Sequence, residues 1–169
     1  MKIVPYHDDW KPAWDTFVFV NSDASLFQST AWKRALERAF GFESRYVCAE
    51  EYGQIRGILP LFLSSKVIQC CTLISTPFAV YGGICSSDSA ASFELRQLAC
   101  ATKEGVDYLE LREPYKPFGD GFLTKELYVT FEQQLTGDPE KLMRGSCTSS
   151  ISAEAGWENV PTSSSLRGL

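Results

Sequence analysis

The chain has one histidine and two methionines, and none of its six cysteines forms a Cys-x-x-Cys pair. With His7 alone and cysteines at 48, 70, 71, 85, 100 and 147, no zinc-ligand spacing can be assembled, so no metal site is expected. A single N-terminal histidine also supplies no Ser-His-Asp or Cys-His constellation, and a solvated or capping role is expected for His7. Cys70 and Cys71 are adjacent and would point to opposite faces of a strand; the thiols are expected to be reduced and mostly buried. Long hydrophobic runs are missing too. The densest stretch, residues 58–63, contains Pro60 and is of strand length, well short of the roughly 18 apolar residues of a membrane helix. Residues 1–9 lack the apolar core of a secretory signal, so a cytoplasmic location is expected. Positive charge is in deficit: 16 Lys and Arg stand against 21 Asp and Glu, so nothing supports non-specific nucleic-acid binding by the chain as a whole, while a local basic groove stays open.

What is present is a globular composition. The 169 residues are 44% hydrophobic, 13% aromatic and 22% charged, enough to build a core without staples. Residues 2–6 alternate like a short strand. Trp10, Trp14, Phe17 and Val18 recur at helical intervals, with Asp8 or Asp9 available as N-cap. Ser29 or Thr30 caps a second helix through Phe40, with Trp32, Leu36, Ala39 and Phe40 as its apolar stripe and Gly41 as its end. Residues 44–49 and 55–63 read as a hairpin around a turn at 51–54, followed by a central strand at 66–75. A loop at 76–83 precedes a helix at 87–104 with Phe93, Leu95, Leu98 and Ala99 inward. Strands follow at 106–112 and 128–134, and Asp138-Pro139 opens a last helix. The class predicted is α/β in the broad α+β sense: a mixed, largely antiparallel sheet flanked by helices.

After Arg144 the composition changes. Serines crowd positions 146, 149, 150, 152, 163, 164 and 165, and no helical or strand period persists. The expected organisation is one lobe at residues 1–143 and an irregular Ser-rich tail at 144–169, disordered or read from a shifted frame.

Four stretches carry a resemblance. They are Ser25-Leu26-Phe27-Gln28-Ser29 with Trp32, then Gly57-Ile58-Leu59-Pro60-Leu61, then Ser75-Thr76-Pro77-Phe78-Ala79-Val80-Tyr81-Gly82-Gly83, then Tyr108-Leu109-Glu110-Leu111-Arg112. In this order and spacing, residues 1–143 resemble the N-terminal half of the FemAB family, most closely its PEP-CTERM and exosortase-associated members, within the GNAT-like acyltransferase superfamily. The resemblance implies a transferase with two tandem GNAT-like lobes that passes an acyl or aminoacyl group to an amine. FemAB enzymes proper move amino acids from aminoacyl-tRNA onto peptidoglycan precursors; the exosortase-associated relatives point more loosely to exopolysaccharide or surface-protein chemistry. The donor implied is acyl-CoA or aminoacyl-tRNA, the acceptor a small molecule, peptide or glycan, and no cofactor is expected on this lobe itself. The family continues into a basic helix and a second lobe where this chain has Gly145-Ser146-Cys147-Thr148-Ser149, so a truncated half, inactive alone, is expected. An uncovered partner-facing surface would favour self-association. A different class of function stays open: a non-catalytic module binding a glycan, a peptide or a partner protein.

The substrate-binding candidates are Gln28, Trp32, Tyr81, Gly82, Gly83 and Arg112, and the candidates for a catalytic part are Tyr81 and Glu110. Gly82-Gly83 permits close backbone approach, with Tyr81 beside it as a donor or general acid; a tight turn with a core tyrosine is the plainer alternative, and Phe78 of the same loop reads as a core residue. Gln28, Ser29 and Trp32 sit at a helix entrance whose free N–H groups suit an anion, with Lys33 adjacent; an N-cap and a core tryptophan would explain the same residues. Tyr108, Glu110 and Arg112 share one strand face. Glu110 is then either the structural ion-pair partner of Arg112 or a general base. Lys116-Pro117-Phe118-Gly119-Asp120-Gly121 loosely imitates a pyrophosphate-binding loop and reads as an exposed turn.

Overall fold

A computed structural model describes residues 1–63, 72–113, 122–125, 137, 138 and 140. The chain divides into two compact units, Met1–Lys125 and Glu126–Leu169. In the second, the Asp138 carboxylate accepts the Glu140 amide at 3.0 Å, the capping bond predicted for that aspartate. The strand expected at 128–134, the turn at 116–121, the tail at 144–169, the first part of the strand at 66–75, and Cys70, Cys71 and Cys147 lie outside the described residues.

The first unit runs β1 (Lys2–Pro5), α1 (Lys11–Val20), α2 (Thr30–Phe40), β2 (Glu43–Ser44), β3 (Val47–Glu51), β4 (Gln54–Leu59), β5 (Phe62–Leu63), β6 (Thr72–Ile74), β7 (Cys85–Ser86), α3 (Ser89–Glu104) and β8 (Tyr108–Glu110). The strands form two four-stranded sheets, ordered β1-β3-β4-β7 and β2-β5-β6-β8. All pairings are antiparallel except β6 with β8, which run parallel. The class is therefore mixed α+β, as predicted.

Two predicted strands each split between the sheets. The segment 44–49 breaks at Arg45-Tyr46: the Arg45 amide donates to Leu61 O at 2.7 Å, while Tyr46 O accepts the Tyr6 amide at 2.8 Å. The segment 55–63 breaks at Pro60, which has no N–H to continue a ladder. β4 therefore stays in the first sheet and β5 joins the second.

The period-2 alternation of the first sheet feeds two cores. Cys48, Ile58 and Cys85 pack with Trp14 and Phe17 of α1, Leu36 of α2, Tyr46 and Phe62. Ala49 and Leu59 face the other way, onto Ala91, Leu95 and Ala99 of α3. Helices thus cover both faces of this sheet. Gly57 lets α3 come close, since a Cβ there would sit 2.9 Å from Leu95 Cδ1. Cys48 and Cys85 are buried free thiols, pushed up to about 11 and about 12 chiefly by burial, and Cys100 is half-buried and free.

Three helical assignments are corrected. Asp8 and Asp9 do not cap α1; they form a 3-10 turn, Asp8–Trp10, closed by the Trp10 amide on His7 O at 2.9 Å. Ala39 and Phe40 of α2 are exposed, leaving Leu36 as its buried anchor and Trp32 half-buried. Phe93 of α3 is 58% exposed while Leu95 and Ala99 are buried. Ala39, Phe40 and Phe93 each fit a helical period, but they lie at the margin of a stripe whose width the facing sheet decides.

Candidate functional site

The site is built on the loop between β6 and β7. Thr76 and Phe78 have φ of 45° and 62°, and Gly82 has φ of 156°. Positive φ is costly for a residue with a Cβ, most of all a branched one, and persists only where the surroundings enforce it. Here β8 and the residues just beyond it enforce it. The Arg112 amide donates to Ser75 Oγ at 2.9 Å, and the Ser75 amide donates to Glu110 O at 2.9 Å. The Arg112 carbonyl accepts the amides of both Gly82 and Gly83 at 3.0 Å, and its guanidinium donates from Nη1 to Ala79 O. Inside the loop, Thr76 Oγ1 donates to Tyr81 O at 3.1 Å and the Ala79 amide donates to Thr76 O at 3.2 Å.

The two glycines are filled around from within. A Cβ on Gly82 would lie 2.6 Å from Thr76 Cβ, and one on Gly83 would lie 2.7 Å from Glu113 Cδ. Both glycines are buried, so the close approach they permit is made by side chains of the protein itself. What the loop turns outward is Phe78 and Val80, 64% and 57% exposed, beside a half-buried Tyr81. Phe78 is thus an exposed ring rather than the core residue the sequence suggested. It meets Phe40 at 4.7 Å and Phe42 at 6.1 Å between ring centroids.

Tyr108, Glu110 and Arg112 lie on one face, as the strand period predicts. Arg112 Nε donates to Glu110 Oε1 at 2.7 Å, and Tyr108 OH donates to Glu110 Oε2 at 3.3 Å. Glu110 is half-buried, with its side chain 33% exposed and that of Arg112 28%.

Gln28 connects this loop to the helical layer. Its Oε1 accepts the Ser25 amide at 2.9 Å, its Nε2 donates to Gly83 O at 2.9 Å, and its own carbonyl accepts Trp14 Nε1 at 2.7 Å. The residue is 3% exposed. Gln28, Gly82, Gly83 and Arg112, picked from separate stretches of sequence, are therefore linked by hydrogen bonds, with Tyr81 adjoining. Trp32 is not on this chain of bonds; it packs on the first core, edge-on to Phe27 at 5.0 Å.

The entrance of α2 already holds an anion. Asp15 accepts the Thr30 amide at 2.9 Å and the Thr30 hydroxyl at 2.6 Å, and Ser29 Oγ accepts the Trp32 amide at 3.2 Å. Lys33 pairs with Glu37 at 2.9 Å and sits 5.2 Å over the Tyr6 ring. With Tyr6, His7 and Arg45 it lines a surface cleft of about 390 Å³ that does not include the loop. His7 is exposed, with Nδ1 3.4 Å from Asp9 Oδ2. Tyr6, whose hydroxyl faces Asp8, is pushed up to about 12, first by burial and then by that carboxylate.

One residue of the site was not picked out from the sequence. Glu113 Oε1 accepts the Ile84 amide at 2.8 Å and lies against Gly83. Burial raises its carboxyl above the ordinary range, against the Ile84 bond and Arg96, which both lower it. The available signal was an acidic residue ending a strand whose other acid already had a partner.

Among the described residues no helix is long and apolar enough to cross a membrane. No family model matches the chain, and no curated protein matches it. Among solved structures, a crystal structure of FemX is similar with a TM-score of 0.45 and 16% identity over 64% of this chain and 25% of that one. The chain spans a quarter of that protein's length, and a likeness this distant assigns no residue a role.

Proposed function

We propose that this chain is the acceptor-holding lobe of a Fem-type, GNAT-like N-acyl or aminoacyl transferase. The acceptor would be an amine on a cell-envelope peptide or an exopolysaccharide-related molecule, and the setting cytoplasmic. One observation carries the reading: stretches that resemble the FemAB family separately, at Gln28, Ser75, Gly82-Gly83 and Glu110 to Arg112, are bonded into one assembly around a strained loop. Strain of this kind accumulates where a backbone must be presented in a fixed shape.

Transfer to an amine asks for orientation of the nucleophile and an acceptor for its proton rather than for a protein nucleophile. In this reading Phe78, Val80 and Tyr81 face the acceptor, and Gly82-Gly83 with Gln28 form the rigid backing. Arg112 has five guanidinium N–H groups, of which Glu110 and Ala79 take two, so it can also orient an acceptor carbonyl or carboxylate. In this reading Glu110 would receive the proton as general base, with Tyr81 as a hydrogen-bond donor or general acid. The acyl-CoA or aminoacyl-tRNA would be held by a second GNAT-like lobe, so this chain alone would bind and not turn over.

The test is a calorimetric titration of the chain with a muramyl pentapeptide bearing a free lysine amine and, separately, with an amine-bearing oligosaccharide, each without donor. Saturable binding weakened about tenfold or more by Arg112→Ala supports the reading. Absence of binding to either probe sinks it. Binding that stays without turnover after a donor lobe and acyl donor are supplied moves the assignment to a non-catalytic module.

A further inference from the structure

The loop is held by two successive residues just beyond β8 acting on three successive amides. The Arg112 carbonyl takes the N–H groups of Gly82 and Gly83, and the Glu113 carboxylate takes that of Ile84. The first grip is backbone to backbone and cannot be switched. The second is a titratable side chain. We propose that Glu113 is the positioning residue of the glycine loop: its carboxylate fixes the Ile84 amide and occupies the space beside Gly83, so its protonation weakens the hold on Ile84.

The geometry requires both halves of this arrangement. Gly83 has no side chain where the Glu113 carboxyl lies, and any Cβ there would displace the far end of that flexible side chain rather than the backbone. The groups facing the carboxyl are Arg96 from α3 and the Ile84 amide, which favour the charged form, and Cys85 of β7. Cys85 is held neutral, its thiol pushed up by burial, Asp23 and Glu113 itself. Burial of the Glu113 carboxyl opposes its charge and outweighs the favourable partners. The latch thus opens at a pH above the ordinary carboxylate value of 4.5 rather than below it. An open latch leaves Arg112 holding Gly82 and Gly83 while Ile84, and with it the start of β7, is freed. The role rests on the acceptor-site reading for its purpose and not for its existence.

The test uses the full chain, labelled with nitrogen-15, and follows the Gly83 and Ile84 amide resonances between pH 4 and pH 8. In the wild type both shift with one midpoint above 4.5. In Glu113→Gln the shift disappears, and in Gly83→Ala, where the new methyl pushes the carboxyl aside, Ile84 loses its downfield, hydrogen-bonded position. An Ile84 amide that does not titrate in the wild type overturns the proposal, as does one that titrates unchanged in Glu113→Gln. Repeating the acceptor titration at both ends of this pH range separates the two readings. A latch seen by resonance with no acceptor binding at any pH sinks the acceptor site and leaves the latch standing.

Discussion

The entrance of α2 and the loop between β6 and β7 both gather backbone amides that lack partners in regular structure, and they settle them in opposite ways. At the entrance one partner is local and the other comes from the adjoining helix: Ser29 caps Trp32, and Asp15 of α1 reaches Thr30. In the loop they come from far away: Gly82 and Gly83 on Arg112, Ile84 on Glu113, and the Gly83 carbonyl on Gln28. The entrance residues adopt ordinary backbone angles, and Ser29 has φ −71° and ψ 158°. The loop carries positive φ at Thr76 and Phe78. Local caps stabilise a conformation the chain already favours; long-range bonds are needed to impose one it does not. A functional surface is therefore better sought in the loop.

The largest expected effect falls on the loop. Gly82→Ala adds a Cβ against the Thr76 side chain near its own Cβ, at a backbone angle that side chains rarely adopt. A loss on the order of 3 kcal/mol is expected by chemical denaturation. A change near zero would mean that the loop is not strained and would erase the contrast. Next comes Gln28→Leu, which keeps the shape and strands the Ser25 amide and the Gly83 carbonyl. A loss of about 2 kcal/mol is expected, with a midpoint about 4–8 °C lower by calorimetry.

The entrance should respond less. Asp15→Ala removes the carboxylate from Thr30 and is expected to cost about 1 kcal/mol, with acceptor binding unchanged. Acceptor binding lost in step with Asp15→Ala would place the functional surface at the entrance instead.

The smallest effect is in pH dependence. The folded-state value of Glu113 is raised, so the folded protein holds this proton more tightly than the unfolded chain. Its contribution to stability is full below the unfolded value near 4.5 and is lost as pH rises through the folded value. Glu113→Gln should therefore gain in melting temperature relative to wild type across that window. Asp88, the N-cap of α3, has the opposite sign. The Ala91 amide and Arg56 lower its value, so its contribution is present above 3.8 and is lost as pH falls through the lowered one. Asp88→Ala should flatten the acid limb of the same curve.

Legibility followed sequence distance. Ser29 and Gly41 mark the ends of α2 correctly because capping depends on neighbours a few residues away. The Glu110–Arg112 pair was readable because residues two apart share a strand face. The splitting of the two strands at Arg45-Tyr46 and Pro60 was not, since both segments look continuous until two sheets compete for them. Phe78 looked like a core residue because its hydrophobicity is local information; that it stands exposed beside Phe40 depends on the fold of a loop that Arg112 holds.

The sequence by itself determined the α+β class, the ends of α2, the hairpin, and the residue types from which a site could be made. These follow from periodicity and from capping, both short-range. Only the tertiary structure decided which of those residues meet. It gave Asp15 the helix entrance, filled the space over Gly82 and Gly83 with Thr76 and Glu113, and left Trp32 half-buried against the core. The bonds of Glu113 and Gln28 to the loop span 29 and 55 residues, and a strained loop exists only because those distant partners arrive together.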